Sequence, residues 1–320
     1  MSESRSSQKA AHWPHSLMWY NAPGADWKEQ GLPIGNGRLA AMVVAGEQND
    51  RLALNHEHLW RGRHRKRDTE PRHHALEKVR RLFFEGKVLE AGELANEALG
   101  GLGGVSGRPN RVYPYQPAGD LLVELSPEPV SDYRRELDLD RALVRVSYKS
   151  RGAEFVREYF AHSTQPVIAA RLSGTEPFRV RLNLRRVEDP ECDLKPFCTA
   201  DSIGYTGRFP EGIQFVVAAR IITKGSLRCV SEPAAAAEIE AAEAVVILSI
   251  AVNVEDRNPR PQCFRQIAAA RGAWKQLLRA TCGRTVHCTG GCGWRSATSS
   301  RSARQTSVWL TSAKVGQMRD

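Results

Sequence analysis

The sequence predicts a mainly β protein: a large antiparallel β-sandwich, of the super-sandwich type, with a small helical insertion. Residues 113–248 contain many short pieces in which apolar and polar side chains alternate, separated by turn residues such as Ser150-Arg-Gly152 and Ser173-Gly-Thr-Glu-Pro177. Short alternating strands with frequent turns are typical of sandwiches. Residues 71–99 carry apolar side chains at helical spacing instead, which predicts the insertion.

The first strands are predicted around Leu32-Pro-Ile-Gly-Asn-Gly-Arg-Leu39. Gly35 and Gly37 flank an asparagine, a composition that supplies the positive φ of a tight turn, and an apolar run follows as in a buried strand. A polar connection at residues 46–50 leads to a second apolar run. We therefore expect a strand pair that is followed by a loop near residues 55–61.

Three further segments carry helical signals. Pro71 suits the first turn of a helix, Gly86 interrupts this helix, and a second helical piece continues to residue 99. The segment 234–242 is rich in alanine and glutamate and predicts a short helical turn at a sheet edge. Residues 266–278 predict a last helix that leads out of the sandwich.

The composition is that of an ordinary soluble globular protein. The chain has 320 residues, 41% of them hydrophobic, and lacks the run of roughly twenty apolar residues that a membrane span needs. Residues 1–17 are polar, predict a disordered leader and show no secretory signal, so we expect a cytoplasmic protein without a membrane partner. The seven cysteines are expected to be reduced thiols.

The net charge of +10 raises the possibility of nucleic-acid binding, but the charge distribution weakens this interpretation. Residues 279–320 hold seven basic residues and one acidic residue, so most of the excess charge lies in this tail. The basic run at residues 61–67 contains no aromatic residue that would stack on a base, and we expect a solvated loop there. No nucleic-acid partner is therefore expected.

Several spaced motifs resemble one known family. They are Trp19-Tyr20, Leu32-Pro-Ile-Gly-Asn-Gly-Arg-Leu39, Leu59-Trp60, Tyr115-Gln-Pro-Ala-Gly-Asp-Leu121 and Arg157-Glu-Tyr-Phe160. In this order they resemble the N-terminal domain of glycoside hydrolase family 95, the inverting α-L-fucosidases. The resemblance covers residues 18–278, which we predict to form one β-sandwich domain.

This resemblance implies the N-terminal domain of an enzyme that acts on fucosylated oligosaccharides. Inverting hydrolysis needs a carboxylic acid and a base several ångströms apart. In the resembled family both lie in an (α/α)6 catalytic domain, which is missing from this sequence and is the expected intramolecular partner. We therefore expect no catalytic residue, no cofactor and no metal, and a truncated chain that is inactive alone. A stand-alone carbohydrate-binding module is the alternative.

The candidate site is a polar cluster next to a predicted strand end, formed by Asn55, His56, Glu57, His58 and Trp60. Asn55 and His58 offer hydrogen bonds, and Trp60 offers a face for a pyranose ring, so this loop is a candidate wall of the sugar pocket. In the structural alternative Trp60 is buried, Asn55 satisfies the backbone, and the histidines face solvent. Both interpretations are open at this point.

The tail, residues 279–320, shows no helical or strand periodicity and loses the family resemblance. A shifted reading frame restores strings similar to the family's continuation, so we predict a non-native, disordered tail that follows a frame slip near Leu278. Cys282, His287, Cys288 and Cys292 superficially suggest zinc ligands. Their spacing fits no usual zinc site, and the segment is expected to be non-native.

Overall fold

The computed structural model describes residues 16–61, 73–99, 115–230, 235–270, 272 and 274–281. The strands up to the middle of the chain are β1 (Leu17–Tyr20), β2 (Leu32–Gly35), β3 (Leu39–Val43), β4 (Asn49–His56), β5 (Gly119–Leu125), β6 (Ser131–Asp138), β7 (Leu143–Ser150) and β8 (Ala153–Ala161). The later strands are β9 (Ile168–Arg185), β10 (Asp193–Cys198), β11 (Ser202–Arg208), β12 (Gln214–Thr223), β13 (Ser226–Val230) and β14 (Ala235–Val252). The helices are α1 (His74–Phe84), α2 (Val88–Leu99) and α3 (Pro259–Ala269), and residues 274–281 are also helical.

The strand order explains how one curled sheet forms two layers. One layer has the order β1-β6-β7-β8-β9-β14-β12-β11-β10, and the other runs from β2 through β3, β4 and β5 to β9, with β13 on β14. Strands β9 and β14 have 18 residues each and belong to both layers, since β8 pairs with the first half of β9 and β5 pairs with its second half. The predicted fold class is therefore confirmed as a large, curled antiparallel sheet.

The main core lies between the two layers. Leu39, Leu52 and Leu121 of one layer are buried in the same cluster as Tyr159 and Val217 of the other. Burial of apolar surface stabilises a fold by roughly 25 cal/mol per Å². This cluster is therefore what holds the two layers of the curled sheet together.

A second, smaller core lies on the outer face of the layer that contains β8. Helix α3 and residues 274–281 cover this face, and the ring of Trp274 lies 5.0 Å from the ring of Phe160. Neighbouring residues of a strand point to opposite faces, so Tyr159 enters the first core and Phe160 enters the second. Strands buried on both faces need nearly continuous apolar runs, which explains the stretch at 244–252, where Ser249 is the one polar residue and donates to the carbonyl of Pro166.

Two sequence predictions about β9 and β14 are wrong. From Ala235 onwards, the alanine- and glutamate-rich segment is the first half of β14, which pairs with β9 and β13. The helical preference of alanine and glutamate is weak, and sheet pairing on both sides overrides it. Residues 173–177 do not separate two strands but lie inside β9, where its pairing with β14 is irregular near Ala241 and Glu243.

The predicted last helix has different boundaries. Helix α3 begins at Pro259, which occupies the first helical turn, and ends at Ala269. Gly272, with a φ of +133°, follows the end of this helix, and a separate helical stretch covers residues 274–281. A single helix over 266–278 is therefore wrong, because the backbone leaves the helical conformation at Ala270.

Several predicted features lie outside the described residues. They are the leader up to residue 15, the basic run beyond Arg61, the glycine-rich loop from residue 100, and the tail from residue 282 with Cys282, Cys288 and Cys292. Among the described helices, none combines the length and the apolar character that crossing a membrane requires. The cytoplasmic location stays a prediction.

Candidate functional site

The candidate loop starts where β4 ends. β4 lies between β3 and β5, and its last residue, His56, is opposite Leu39 of β3. The chain then turns, and the backbone N–H of Leu59 donates a hydrogen bond to the carbonyl of His56 at 3.0 Å. Leu59 is buried in the main core and anchors the loop, while His58 and Trp60 on either side of it remain accessible.

His56 is the buried polar group of this loop. Its side chain is fully buried, and its Nδ1 accepts a hydrogen bond from the backbone N–H of His58 at 3.1 Å. The neutral ring therefore carries its proton on Nε2. Nε2 has no hydrogen-bond partner among the described residues, and Oε1 of Glu255 is 3.7 Å away, beyond hydrogen-bond distance. A buried donor without an acceptor costs about 1–3 kcal/mol.

Burial also sets the charge of His56. Desolvation lowers the pKa of His56 to about 4, although the nearby carboxylate of Glu255 raises it. In the unfolded chain the same ring keeps its proton up to a pH of about 6.5. The neutral ring therefore contributes stability that is complete above this pH and is lost as the pH falls towards 4. At neutral pH His56 presents an uncharged Nε2–H donor.

Glu255, in the loop after β14, reaches the same place. Its Oε1 lies 3.2 Å from Nδ1 of His58 and 3.6 Å from Nη1 of Arg38, and its Oε2 accepts a hydrogen bond from Nε2 of Gln262 at 2.7 Å. Nε of Arg38 also pairs with Oε1 of Glu57 at 3.2 Å. Arg38 therefore lies between two carboxylates, and that of Glu255 also contacts the ring of His58.

Trp60 and Tyr115 form the aromatic side of the site. Their backbones make an isolated antiparallel bridge, and their rings meet edge to face with centroids 5.0 Å apart. The indole N–H of Trp60 donates to the carbonyl of Glu57 at 2.9 Å, and the hydroxyl of Tyr115 donates to the carbonyl of His56 at 2.8 Å. Trp60 is nevertheless 46% exposed, so part of its ring is open to a ligand.

Of the three predicted site residues, His58 and Trp60 share this loop and Asn55 does not. Asn55 is opposite Ala40 within β4, and adjacent strand residues point to opposite faces, so Asn55 points away from His56. The alternative in which Trp60 is buried and both histidines face solvent is wrong, because Trp60 is exposed and His56 is buried. Their role in binding stays a prediction.

Sequence reasoning placed His56 in the polar cluster without a binding role and did not consider Glu255. The signal for His56 is its place at the end of an apolar strand, where alternation points it into the protein. The signal for Glu255 is a carboxylate directly after the long apolar end of β14. What the sequence does not show is that residues 56 and 255 meet, since their contact depends on the packing of two distant strand ends.

Three side chains of this loop region have the arrangement of a candidate metal site. His56, His58 and Glu255 each present a nitrogen or oxygen atom, and these atoms lie within 4.8 Å of one another. A metal-bound imidazole normally donates a hydrogen bond with its other nitrogen, whereas Nδ1 of His56 accepts one. The donor and acceptor pattern suits a hydroxyl group better, because a hydroxyl accepts from an N–H such as that of His56 and donates to a carboxylate such as that of Glu255.

The sequence of this chain is similar to sequences of known glycosyl hydrolases. A family model described as "Glycosyl hydrolase family 65, N-terminal domain" matches residues 18–258. The chain is 35% identical over 162 residues to "Alpha-L-fucosidase 2" of Arabidopsis thaliana, covering 49% of this chain and 18% of that protein. It is 26% identical over 171 residues to "Probable alpha-fucosidase A" of Aspergillus niger, covering 49% of this chain and 20% of that protein.

Among solved structures, a chain named as a kojibiose phosphorylase from the human microbiome matches with a TM-score of 0.47 and 9% identity, over 80% of this chain and 35% of that chain. The chain thus spans about a fifth of the length of the curated relatives that it matches. The names of these relatives agree with the resemblance to α-L-fucosidases, although the family model carries the number 65 and not 95. Because that model matches well over half of the sequence, the chain belongs to the family of N-terminal domains of glycosyl hydrolase family 65.

Proposed function

We propose that this chain is the non-catalytic, sugar-contacting N-terminal domain of an α-L-fucosidase-like glycoside hydrolase that acts on fucosylated carbohydrates. The observation that carries the proposal is the buried, unpartnered Nε2–H of His56 near the carboxylate of Glu255, together with the exposed ring of Trp60 in the same loop. The names of the relatives supply the fucosyl part of the proposal. The site residues we propose are therefore His56, His58, Trp60 and Glu255.

The chemistry of fucose suits this arrangement. A 6-deoxy sugar carries several hydroxyls and one methyl group on a single ring. One hydroxyl is proposed to accept from Nε2–H of His56 and donate to Glu255, which removes the cost of the buried donor. The apolar part of the ring is proposed to lie on Trp60, whose orientation the Tyr115 contact fixes.

We propose that the chain alone does not hydrolyse the sugar. The acid and base of inverting hydrolysis are assigned to an (α/α)6 catalytic domain in the remaining part of the full-length protein, with this domain supplying one wall of its pocket. A stand-alone carbohydrate-binding module is the second candidate, and the preformed contacts of Trp60 favour it. The two differ in the affinity of the isolated chain: micromolar binding indicates a module, and weak millimolar binding indicates a pocket wall.

Trp60→Ala is expected to weaken binding of an α-L-fucosylated trisaccharide roughly tenfold, because stacking on one aromatic ring contributes about 1 kcal/mol or slightly more. Binding is measured by saturation-transfer NMR on the 320-residue chain, and hydrolysis of the same sugar is followed in parallel and is expected to be absent. The parent disaccharide without fucose is expected to bind more weakly.

Trp19→Ala is the matched control for this experiment. Trp19 is another exposed tryptophan, on the edge strand β1, and its loss is expected to leave sugar binding unchanged. Glu255→Gln keeps the size of the side chain and tests the hydroxyl contact independently of stacking. Equal binding of both sugars, or equal binding by the Trp60 and Trp19 variants, contradicts the proposed site.

A further inference from the structure

The α1–α2 hairpin is a helical insertion that lies between Trp60 and Tyr115 in the sequence. The two helices pack against each other, but Val79 is the only buried residue of α1, and Ala91 is the only buried residue of α2. Two helices that bury so little are not stabilised by a core of their own. The hairpin therefore has a surface that the described part of the chain leaves uncovered.

This uncovered surface is apolar at the tip of the hairpin. Phe83 and Phe84 end α1, Val88 and Leu89 begin α2, and they are exposed by 49%, 92%, 56% and 85%. Together they expose roughly 500 Å² of apolar side chain, given about 150–250 Å² for a whole aromatic side chain. A patch of this size is as large as the largest apolar patch of a typical monomer, which is often functional.

The two helices carry opposite charges. Helix α1 holds three basic side chains, Lys78, Arg80 and Arg81, and one acidic side chain, whereas α2 holds the acidic Glu90, Glu93 and Glu97 and no basic side chain. The three glutamates recur every three or four residues, so they form one stripe along α2.

Most of these charges have no partner within the hairpin. Arg81 pairs with Glu85 at 3.9 Å, and Lys87 pairs with the same carboxylate at 3.0 Å. Lys78, Arg80 and the three glutamates of α2 form no salt bridge with any residue that the structure describes. They are therefore available to a partner that presents the opposite charges.

We propose that the hairpin tip, defined as Phe83, Phe84, Val88 and Leu89, is a docking surface for a second copy of this chain. A two-fold axis parallel to the helices brings α1 of one copy against α2 of its partner, so basic side chains face acidic ones twice and the two apolar tips meet at the same end. The result is a four-helix arrangement with an apolar cluster at its tip end. This inference does not depend on sugar binding.

The area of the hairpin surface and its charge pattern both favour a second copy of this chain as the partner. Stable interfaces bury about 800 Å² on each partner, so the proposed interface includes the charged flanks of both helices as well as the apolar tip. A surface that is basic on one helix and acidic on the next is self-complementary. It does not suit an anionic membrane or a nucleic acid, since both repel the glutamate stripe.

Sedimentation velocity of the 320-residue chain over a wide concentration range tests the proposal. The chain is expected to dimerise, and Phe84→Ser with Leu89→Ser is expected to weaken the dimer at least tenfold. Both side chains are exposed in the single chain, so these changes leave its fold intact. Val187→Ser, at another exposed apolar position, is the matched control and is expected to leave the dimer unchanged.

Charge reversal tests the pairing of α1 with α2. Lys78→Glu with Arg80→Glu in one variant, and Glu93→Arg with Glu97→Arg in another, are each expected to weaken self-association. Mixing the two variants is expected to restore association as a heterodimer. A chain that stays monomeric at every concentration, or a dimer that survives the Phe84 and Leu89 changes, overturns the proposal.

Discussion

Asp50→Ala is expected to lower the free energy of unfolding by about 3–5 kcal/mol, because it leaves a buried arginine without its counter-charge. Asp50 and Arg157 are both buried, and Nη1 of Arg157 lies 3.7 Å from Oδ2 of Asp50. The hydroxyl of Tyr159 donates to the same oxygen at 2.7 Å. One carboxylate of β4 therefore binds two side chains of β8 inside the core.

The same carboxylate also holds the turn between β3 and β4. Oδ1 of Asp50 accepts hydrogen bonds from the backbone N–H of Ala45 at 2.7 Å and of Arg51 at 2.8 Å. Ala45 has a φ of +58°, a strained conformation for an alanine. Arg157 in turn donates to the carbonyl of Gly46. Loss of Asp50 therefore releases both the ion pair and the turn.

Urea unfolding measures this loss. Asp50→Asn keeps the oxygen that accepts from the backbone and is expected to cost less than Asp50→Ala. Glu240→Ala removes one partner of an exposed ion pair with Arg179, and its effect is expected to stay below about 1 kcal/mol. A loss below about 1 kcal/mol for Asp50→Ala is incompatible with a structural role for the buried pair.

Gly119→Ala is expected to destabilise the protein by about 3 kcal/mol, from backbone strain and overpacking together. Gly119 has a φ of +126°, and a Cβ at this position lies 2.0 Å from Oη of Tyr205 and 2.6 Å from the carbonyl oxygen of Arg185. Tyr205 is fully buried and its hydroxyl donates to the carbonyl of Ala118, so neither group moves away cheaply.

Substitutions at two other glycines separate the effect of backbone strain from the effect of overpacking. Gly152 has a φ of +79° but no atom near its missing Cβ, so Gly152→Ala is expected to show strain alone, about 1 kcal/mol. Gly92 lies inside α2 with free space around it, and Gly92→Ala is expected to stabilise the helix by about 0.5–1 kcal/mol. Thermal unfolding ranks the three variants. A Gly119 variant that is no less stable than the Gly152 variant contradicts the close packing of Tyr205.

The sheet was predictable because strand alternation is a local signal. Segments such as 143–148 and 178–184 carry the period of two in their own residues, and the structure places both in strands. The first half of β14 was not predictable in the same way. Its alanines and glutamates lack β preference, and only pairing with β9 and β13 makes the segment a strand.

The candidate site was predictable only in part, because some of its contacts join residues that lie far apart in the sequence. Trp60 and His58 stand out locally as polar and aromatic residues after an apolar strand. Glu255 lies about two hundred residues later, and its carboxylate meets His58 only because the ends of β4 and β14 lie at the same end of the sandwich. The tautomer of His56 depends on a backbone hydrogen bond that no sequence pattern shows.

The most direct test of the account is an NMR titration of the His56 ring in the 320-residue chain. Without sugar, the ring is predicted to titrate at a pH of about 4 and to carry its proton on Nε2. An α-L-fucosylated trisaccharide is predicted to shift the Nε2 resonance, and the parent disaccharide is not. A ring that titrates near pH 6.5 contradicts the account. An Nε2 resonance that does not shift when the fucosylated sugar is added contradicts the proposal that this buried N–H donates a hydrogen bond to a sugar hydroxyl.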